Sequence, residues 1–341
     1  VTGRKYLVVG PSWVGDMVMA QSLFITLKQL YPDCIIDVVS PEWSLPVLAR
    51  MPEVRKGIGL SVKHGEFSLG VRIKLGRSLR NEQYTHAIVL PRSWKSALVP
   101  FAAKVPVRTG YKGEIRYGLV NDMRALDKAA LTQTVQRYVA HAYEQNPVAA
   151  PNTPFPRLST DLANTRQLVD KLGLDRKKPV IAMMPGAEYG PAKQWPITYY
   201  AQLAEKLSAN GYQVWVLGSE KEAAAGDEIA AAGKYCHNLC GKTSLVEVVD
   251  LIAATEQVVT NDSGLMHIAA ATGVRVNVIY GSSTPVYTPP LTDSAEIFYK
   301  RLQCSPCFSR DCKYGHYNCL KLITPDEVFK RFMHNATVLN D

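Results

Sequence analysis

Short β-branched runs alternate with helical stretches along this chain, and the alternation stops once, at a proline-rich stretch, before starting again. KYLVVG (residues 5–10) has the composition of a strand, QSLFITLKQLY (21–31) the apolar spacing of a helix, and CIIDVVS (34–40) the pattern of a second strand. HAIVL (86–90) is a further strand, and SWKSALVPFAAK (93–104) after it is spaced like a helix. This order leaves few topologies. Successive strands must lie parallel, joined by right-handed crossovers, with helices on both faces of the sheet. QNPVAAPNTPFPRL (145–158) holds four prolines and no periodicity, as a linker does.

Beyond the linker, PVIAMM (179–184), YQVWVLG (212–218), QVVTND (257–262) and VRVNVIYG (274–281) read as strands. PITYYAQLAEKLSANG (196–211), SLVEVVDLIAA (244–254) and GLMHIAAATG (264–273) read as helices. At 341 residues the chain is long enough for two cores, and 47% hydrophobic with 20% charged residues is a globular composition, not a disordered one. Two doubly wound α/β domains are expected, over 1–157 and 158–324, with ligands in a cleft at the carboxyl ends of both sheets. An amphipathic helix within 325–341 is expected to close the chain by packing back on the first domain.

Residues 1–160 hold 21 Lys/Arg against 11 Asp/Glu, and residues 161–341 hold 18 against 19, so the net +9 lies wholly in the first half. A one-sided excess of this kind suits an anionic partner: nucleic acid, a membrane surface or an acidic substrate. No apolar run approaches the roughly 18 residues of a membrane span. The chain starts without Met and without a signal-peptide pattern, so a trimmed or tagged start and a reducing compartment are expected. Of seven cysteines, Cys304, Cys307, Cys312 and Cys319 fall within 16 residues, with His316 among them. Four thiols could hold a structural zinc, although the spacing is not that of paired CxxC knuckles; reduced thiols in a compact loop are the alternative.

Three segments sit where such sheets place ligands. GPSWVGDM (10–17) spaces Gly10 and Gly15 as in a phosphate-binding loop, but Asp16 stands where that loop carries lysine. The carboxylate would repel a phosphate, so Asp16 either caps the helix or acts as a general base. TNDSGLMH (260–267) runs from a strand end into a helix: Asp262 or Ser263 can cap it, Gly264 lets a ligand approach, and His267 falls on the same face as Ser263. MPGAEYGPAKQWP (184–196) is a loop with Gly186, Ala187 and Gly190, in which Lys193 offers a point charge to a phosphate. In VLGSEKEA (216–223), Glu220 or Glu222 could accept from ribose hydroxyls.

These segments together resemble glycosyltransferase family 9, the bacterial ADP-heptose:lipopolysaccharide heptosyltransferases, over nearly the whole chain. RTGYKGEIRYGLVND (108–122) and YGSSTPVYTPP (280–290) extend the likeness, and Ser263 together with the long loop before Lys193 suits the type II branch. The resemblance implies a GT-B architecture of two Rossmann-like domains facing a central cleft, the first for the acceptor and the second for the sugar nucleotide. It implies an inverting, metal-independent transfer of L-glycero-D-manno-heptose from ADP-heptose to the first heptose of the lipopolysaccharide inner core, with no cofactor required. By the family's motifs Asp16 would be the base. Gly186, Ala187, Lys193, Glu222, Gly241, Lys242, Thr243, Asp262, Ser263, Gly264 and His267 would surround the donor. The +10 half would meet an anionic lipid acceptor, with Arg92, Lys95, Lys112 and Arg116 as candidate contacts, at the cytoplasmic face of the inner membrane. A GT-B transferase or epimerase with another donor is the rival expectation. A zinc-containing nucleic-acid binder is the more distant one, since the basic excess is remote from the cysteines.

Overall fold

The computed structural model describes residues 3–62, 68–175 and 177–337. The chain divides into two units, Val1–Ser159 and Thr160–Asp341.

Unit 1 runs β1 (Lys5–Val9), α1 (Val14–Leu30), β2 (Ile35–Pro41), α2 (Leu45–Leu48), β3 (Lys56–Leu60), α3 (Leu69–Ser78), β4 (His86–Val89), α4 (Leu98–Ala102), β5 (Val107–Tyr111), β6 (Asp122–Arg124) and α5 (Thr134–Val139). Its six strands lie in the order β3-β2-β1-β4-β5-β6, all pairings parallel. Central strands such as β1, KYLVV, are apolar on both faces because helices cover both. Leu7, Val39, Ala87, Val99 and Ala103 make one such buried layer.

Two elements depart from the sequence pattern. α1 begins seven residues before position 21, because Met17, Val18, Met19 and Ala20 are all buried and continue the helix toward β1. The helix expected over 93–104 opens as a 3-10 turn, Trp94–Ala97, before α4. Ser96 Oγ donates to the carbonyls of Ser93 (2.5 Å) and Pro91 (3.2 Å), tightening that first turn.

Unit 2 runs α6 (Leu162–Lys171), β7 (Val180–Met184), α7 (Ile197–Ala209), β8 (Gln213–Val216), α8 (Ala223–Ala231), β9 (Cys236–Asn238), α9 (Leu245–Ala253), β10 (Gln257–Asn261), α10 (Gly264–Thr272), β11 (Arg275–Ile279), β12 (Ala295–Phe298), α11 (Asn318–Lys321) and α12 (Pro325–Thr337). The order β12-β11-β10-β7-β8-β9, again all parallel, repeats the topology of unit 1. Both sheets reverse direction beside their first strand, between β1 and β4 and between β7 and β10. Crevices open at such switch points, outside the carboxyl ends.

The closing helix finds its core within unit 2. α12 packs on α7 of its own unit. Val328 and Phe332, both fully buried, join the core of Trp195, Tyr200, Leu203 and Leu207, and Phe332 meets Tyr212 edge-on at 5.4 Å. Ion pairs Lys206–Asp326 (2.8 Å) and Lys300–Glu327 (2.6 Å) flank the stripe. An amphipathic helix buries its apolar face against the nearest unfilled surface, and here α7 supplies it.

Candidate active site

In unit 2 the site grows from the ends of β7 and β10. Asp262 follows β10 and is 5% exposed; its Oδ2 accepts from Lys193 Nζ and from Ser283 Oγ, each at 2.5 Å. Lys193 closes the long loop after β7, and its ammonium also stands 5.4 Å from the Tyr189 ring centroid. The carboxylate therefore fixes a cation at the carboxyl edge of the sheet, next to the first residue of α10, Gly264. The first N–H groups of a helix have no intrahelical acceptor, and the helix dipole favours an anion there.

Capping by Asp262 or Ser263 was expected and does not occur. Ser263 is the N-cap residue but its side chain makes no capping bond. Its Oγ is buried without a partner among the described residues, as are Thr243 Oγ1 and Ser282 Oγ. Asp262 is already committed to Lys193 and Ser283. Orphaned buried hydroxyls of this kind are groups that a ligand can satisfy. His267, one turn into α10, is 5% exposed, and burial lowers its pKa to about 4, so it is neutral. It packs behind the terminus.

Glu222 and Glu220 separate by geometry. Glu222 Oε2 accepts from the Ser219 amide (2.8 Å) and hydroxyl (2.6 Å). A Cβ on Gly186 would stand 3.1 Å from Glu222 Cδ, so this carboxylate packs closely on the loop at the end of β7. Glu220 instead lends its backbone to the turn after β9, where Gly241 (φ +72°) packs on it and donates to Gly218 O at 3.0 Å. Lys242 and Thr243 complete that turn.

The sequence reading missed two supports of the Lys193 loop. Asn261, fully buried at the end of β10, donates to Pro185 O (2.8 Å) and accepts from Trp195 N (3.0 Å) and Tyr200 OH (3.1 Å). It ties both ends of the loop to the strand that carries Asp262. Its signal was only its place before that aspartate. The second support is the cysteine segment. Arg310 O accepts from Ala192 N (2.9 Å), Phe308 O from Tyr189 OH (2.6 Å), and Ser282 O from Phe308 N (2.8 Å). Among the described residues no three His, Cys, Asp or Glu side chains are set to hold a metal ion. The segment acts through its backbone. Cys319 is buried, and burial together with the other three sulfurs pushes its thiol up to about 11.

In unit 1, Asp16 lies in the first turn of α1, after β1. It is not the cap, since Trp13 holds that position, and its Oδ1 accepts from Tyr138 OH on α5 at 3.2 Å. The Tyr138 hydroxyl is held neutral, first by burial and then by the Asp16 charge. Tyr138 was invisible in the sequence. Arg92 and Lys112 are exposed on loops at the carboxyl ends of β4 and β5, and Lys95, partly buried, lies in the 3-10 turn after β4. Arg116 is a correction: it is 1% exposed, and its guanidinium donates to Pro91 O (2.8 Å) and Tyr111 O. It braces two loops, and its Nε is buried without a partner among the described residues.

A carboxylate at the switch point of one Rossmann-type sheet and a cation with an open helix terminus at that of the other define a nucleotide-sugar glycosyltransferase of the GT-B type. The comparisons agree. The chain is 45% identical over 347 residues to the Lipopolysaccharide heptosyltransferase 2 of Escherichia coli K12, covering 99% of each. It is 51% identical over 340 residues to the Lipooligosaccharide heptosyltransferase 2 of Haemophilus influenzae, covering 95% and 97%. The solved structure of E. coli ADP-heptose lps heptosyltransferase II matches with a TM-score of 0.87 at 44% identity, over 98% and 99% of the two chains. A family model, Glycosyltransferase family 9 (heptosyltransferase), matches residues 72–318, and the chain belongs to that family.

Proposed function

We propose that this enzyme moves L-glycero-D-manno-heptose from ADP-heptose to the first heptose of the lipopolysaccharide inner core. The observation that carries the reading is the Lys193–Asp262 pair at the open terminus of α10, in a chain similar along its whole length to lipopolysaccharide heptosyltransferases 2. The acceptor hydroxyl gives its proton to Asp16 while its oxygen attacks C1 of the donor heptose. The bond from C1 to the diphosphate oxygen breaks on the opposite face, so configuration inverts and ADP leaves with the electron pair. Lys193 and the α10 N–H groups stabilise the charge that develops on the diphosphate. Gly186 and Ala187 line it with backbone, Asp262, Ser263 and Gly264 hold heptose and phosphates, Glu222 takes the ribose hydroxyls, and Gly241 to Thr243 flank the adenine. Arg92, Lys95 and Lys112 meet the anionic acceptor.

With the diphosphate charge met by Lys193 and the helix, no divalent cation is required, and a chelator should leave the rate unchanged. Among the described residues no helix is long and apolar enough to cross a membrane. Work at the cytoplasmic face of the inner membrane, as a peripheral protein, accords with the basic first half. The test is incubation with ADP-heptose and mono-heptosylated Kdo-lipid A. A mass gain of one heptose, inhibited by ADP and not by UDP, supports the proposal; no gain refutes it, and inhibition by UDP transfers the reading to another donor.

A further inference from the structure

The connection between β5 and β6 has an unusual build: it is rigid, yet it holds two large apolar side chains out in solvent. Ile115 is 86% and Tyr117 68% exposed. Around them the backbone is tied down. Glu114 N donates to Arg92 O (3.1 Å), Trp94 N donates to Glu114 Oε2 (3.0 Å), and the buried Arg116 reaches Pro91 O. Gly113 lies so close to Arg92 O that a Cβ would come within 2.3 Å of it. On the far side Arg108 donates to Gly118 O (3.0 Å) and Leu119 O (2.7 Å). A loop anchored on both flanks cannot turn Ile115 inward, so the apolar heads stay exposed.

The surrounding charge is one-sided. From Arg92 to Tyr117 there are six Lys/Arg and one acid, Glu114, which is used in the brace. We propose that residues 112–118 are a membrane-inserting tip: Ile115 and Tyr117 enter the headgroup region of an anionic bilayer, while Lys112 and Arg92 face lipid phosphates. Two side chains on a loop tip are far too little for a protein partner, which needs about 800 Å² on each side. They match interfacial insertion, where a tyrosine sits at headgroup level and basic residues flank it. The tip follows the carboxyl end of β5, the edge of unit 1 that also carries Asp16, so insertion would turn that edge toward a lipid-anchored acceptor. The orientation argument rests on the function proposed above; the tip itself does not.

The experiment is vesicle co-sedimentation of the full chain, without acceptor or donor, on phosphatidylcholine vesicles with and without phosphatidylglycerol. Ile115→Ser/Tyr117→Ser should lower partitioning onto the anionic vesicles about tenfold, with an unchanged melting temperature, and Ile115→Trp should raise it. On a de-acylated, soluble acceptor the double variant should keep kcat and KM, whereas KM for vesicle-borne acceptor should rise. Wild-type partitioning by the double variant overturns the proposal. So does a wild-type dimer that the double variant dissolves, since the tip would then be a protein contact. Absence of heptose transfer would sink the proposed function and leave the vesicle result to decide the tip.

Discussion

Replacing Lys193 by alanine separates two effects that the structure couples. The ammonium supplies a charge-assisted contact to a diphosphate, worth about 1.5–3 kcal/mol, or about 10- to 100-fold in affinity. It also neutralises Asp262, which is 5% exposed and, among the described residues, keeps Ser283 as its side-chain partner once Lys193 is gone. The bare carboxylate then faces the incoming phosphates, so the loss in Lys193→Ala should reach the upper end of that range. Asp262→Asn removes the repulsion, and the double variant should bind ADP more tightly than Lys193→Ala alone, a non-additivity expected of directly paired charges. Isothermal titration with ADP reads all four proteins, and thermal melting should show the same partial recovery because an unpaired buried charge is relieved. An ADP dissociation constant unchanged in Lys193→Ala refutes the donor site. A double variant as weak as the single one refutes the role given to Asp262.

Three further outcomes follow from the same geometry. Asp16→Asn should lower kcat by about 10²–10⁴ with ADP affinity intact, and Tyr138→Phe, which deletes the 3.2 Å bond to Asp16, should lower kcat about tenfold; steady-state kinetics with near-normal turnover in the first would remove Asp16 as the base. His267 titrates at about 4 in the fold against an ordinary 6.5, so below pH 6.5 the unfolded chain takes a proton that the folded chain refuses. Stability should therefore fall between pH 6.5 and about 4, by about 3 kcal/mol from this residue, and His267→Asn should flatten that part of a denaturant-unfolding pH series. Raising ionic strength should increase KM for the lipid acceptor far more than KM for ADP-heptose, because exposed charges are screened beyond about 8 Å at physiological salt. Neutralising Arg92 and Lys95 together should flatten that dependence; equal salt responses of both substrates would leave the basic half a mere soluble surface.

The sequence by itself determined the two strand–helix blocks and the fact that Asp16, Lys193 and Asp262 each stand at a strand's carboxyl end. Those are local properties: periodicity and turn residues act over a few positions, and the sequence displays them directly. What stands opposite what was decided only by the tertiary structure. Lys193 meets Asp262 across 69 residues because β7 and β10 become neighbours at the switch point, and Tyr138 meets Asp16 across 122 because α5 packs on α1. Arg116 reads in the sequence as an exposed cation, yet it is buried, because whether a guanidinium faces solvent or braces two loops depends on the carbonyls brought around it. The same holds for the cysteine segment, conspicuous by its thiols yet joined to the site through its backbone, and for α12, whose apolar stripe specified burial without naming the surface. Burial free energy is nearly indifferent to which apolar surface is covered, so a stripe fixes that a helix packs; the crossover topology and the register of the sheet fix where.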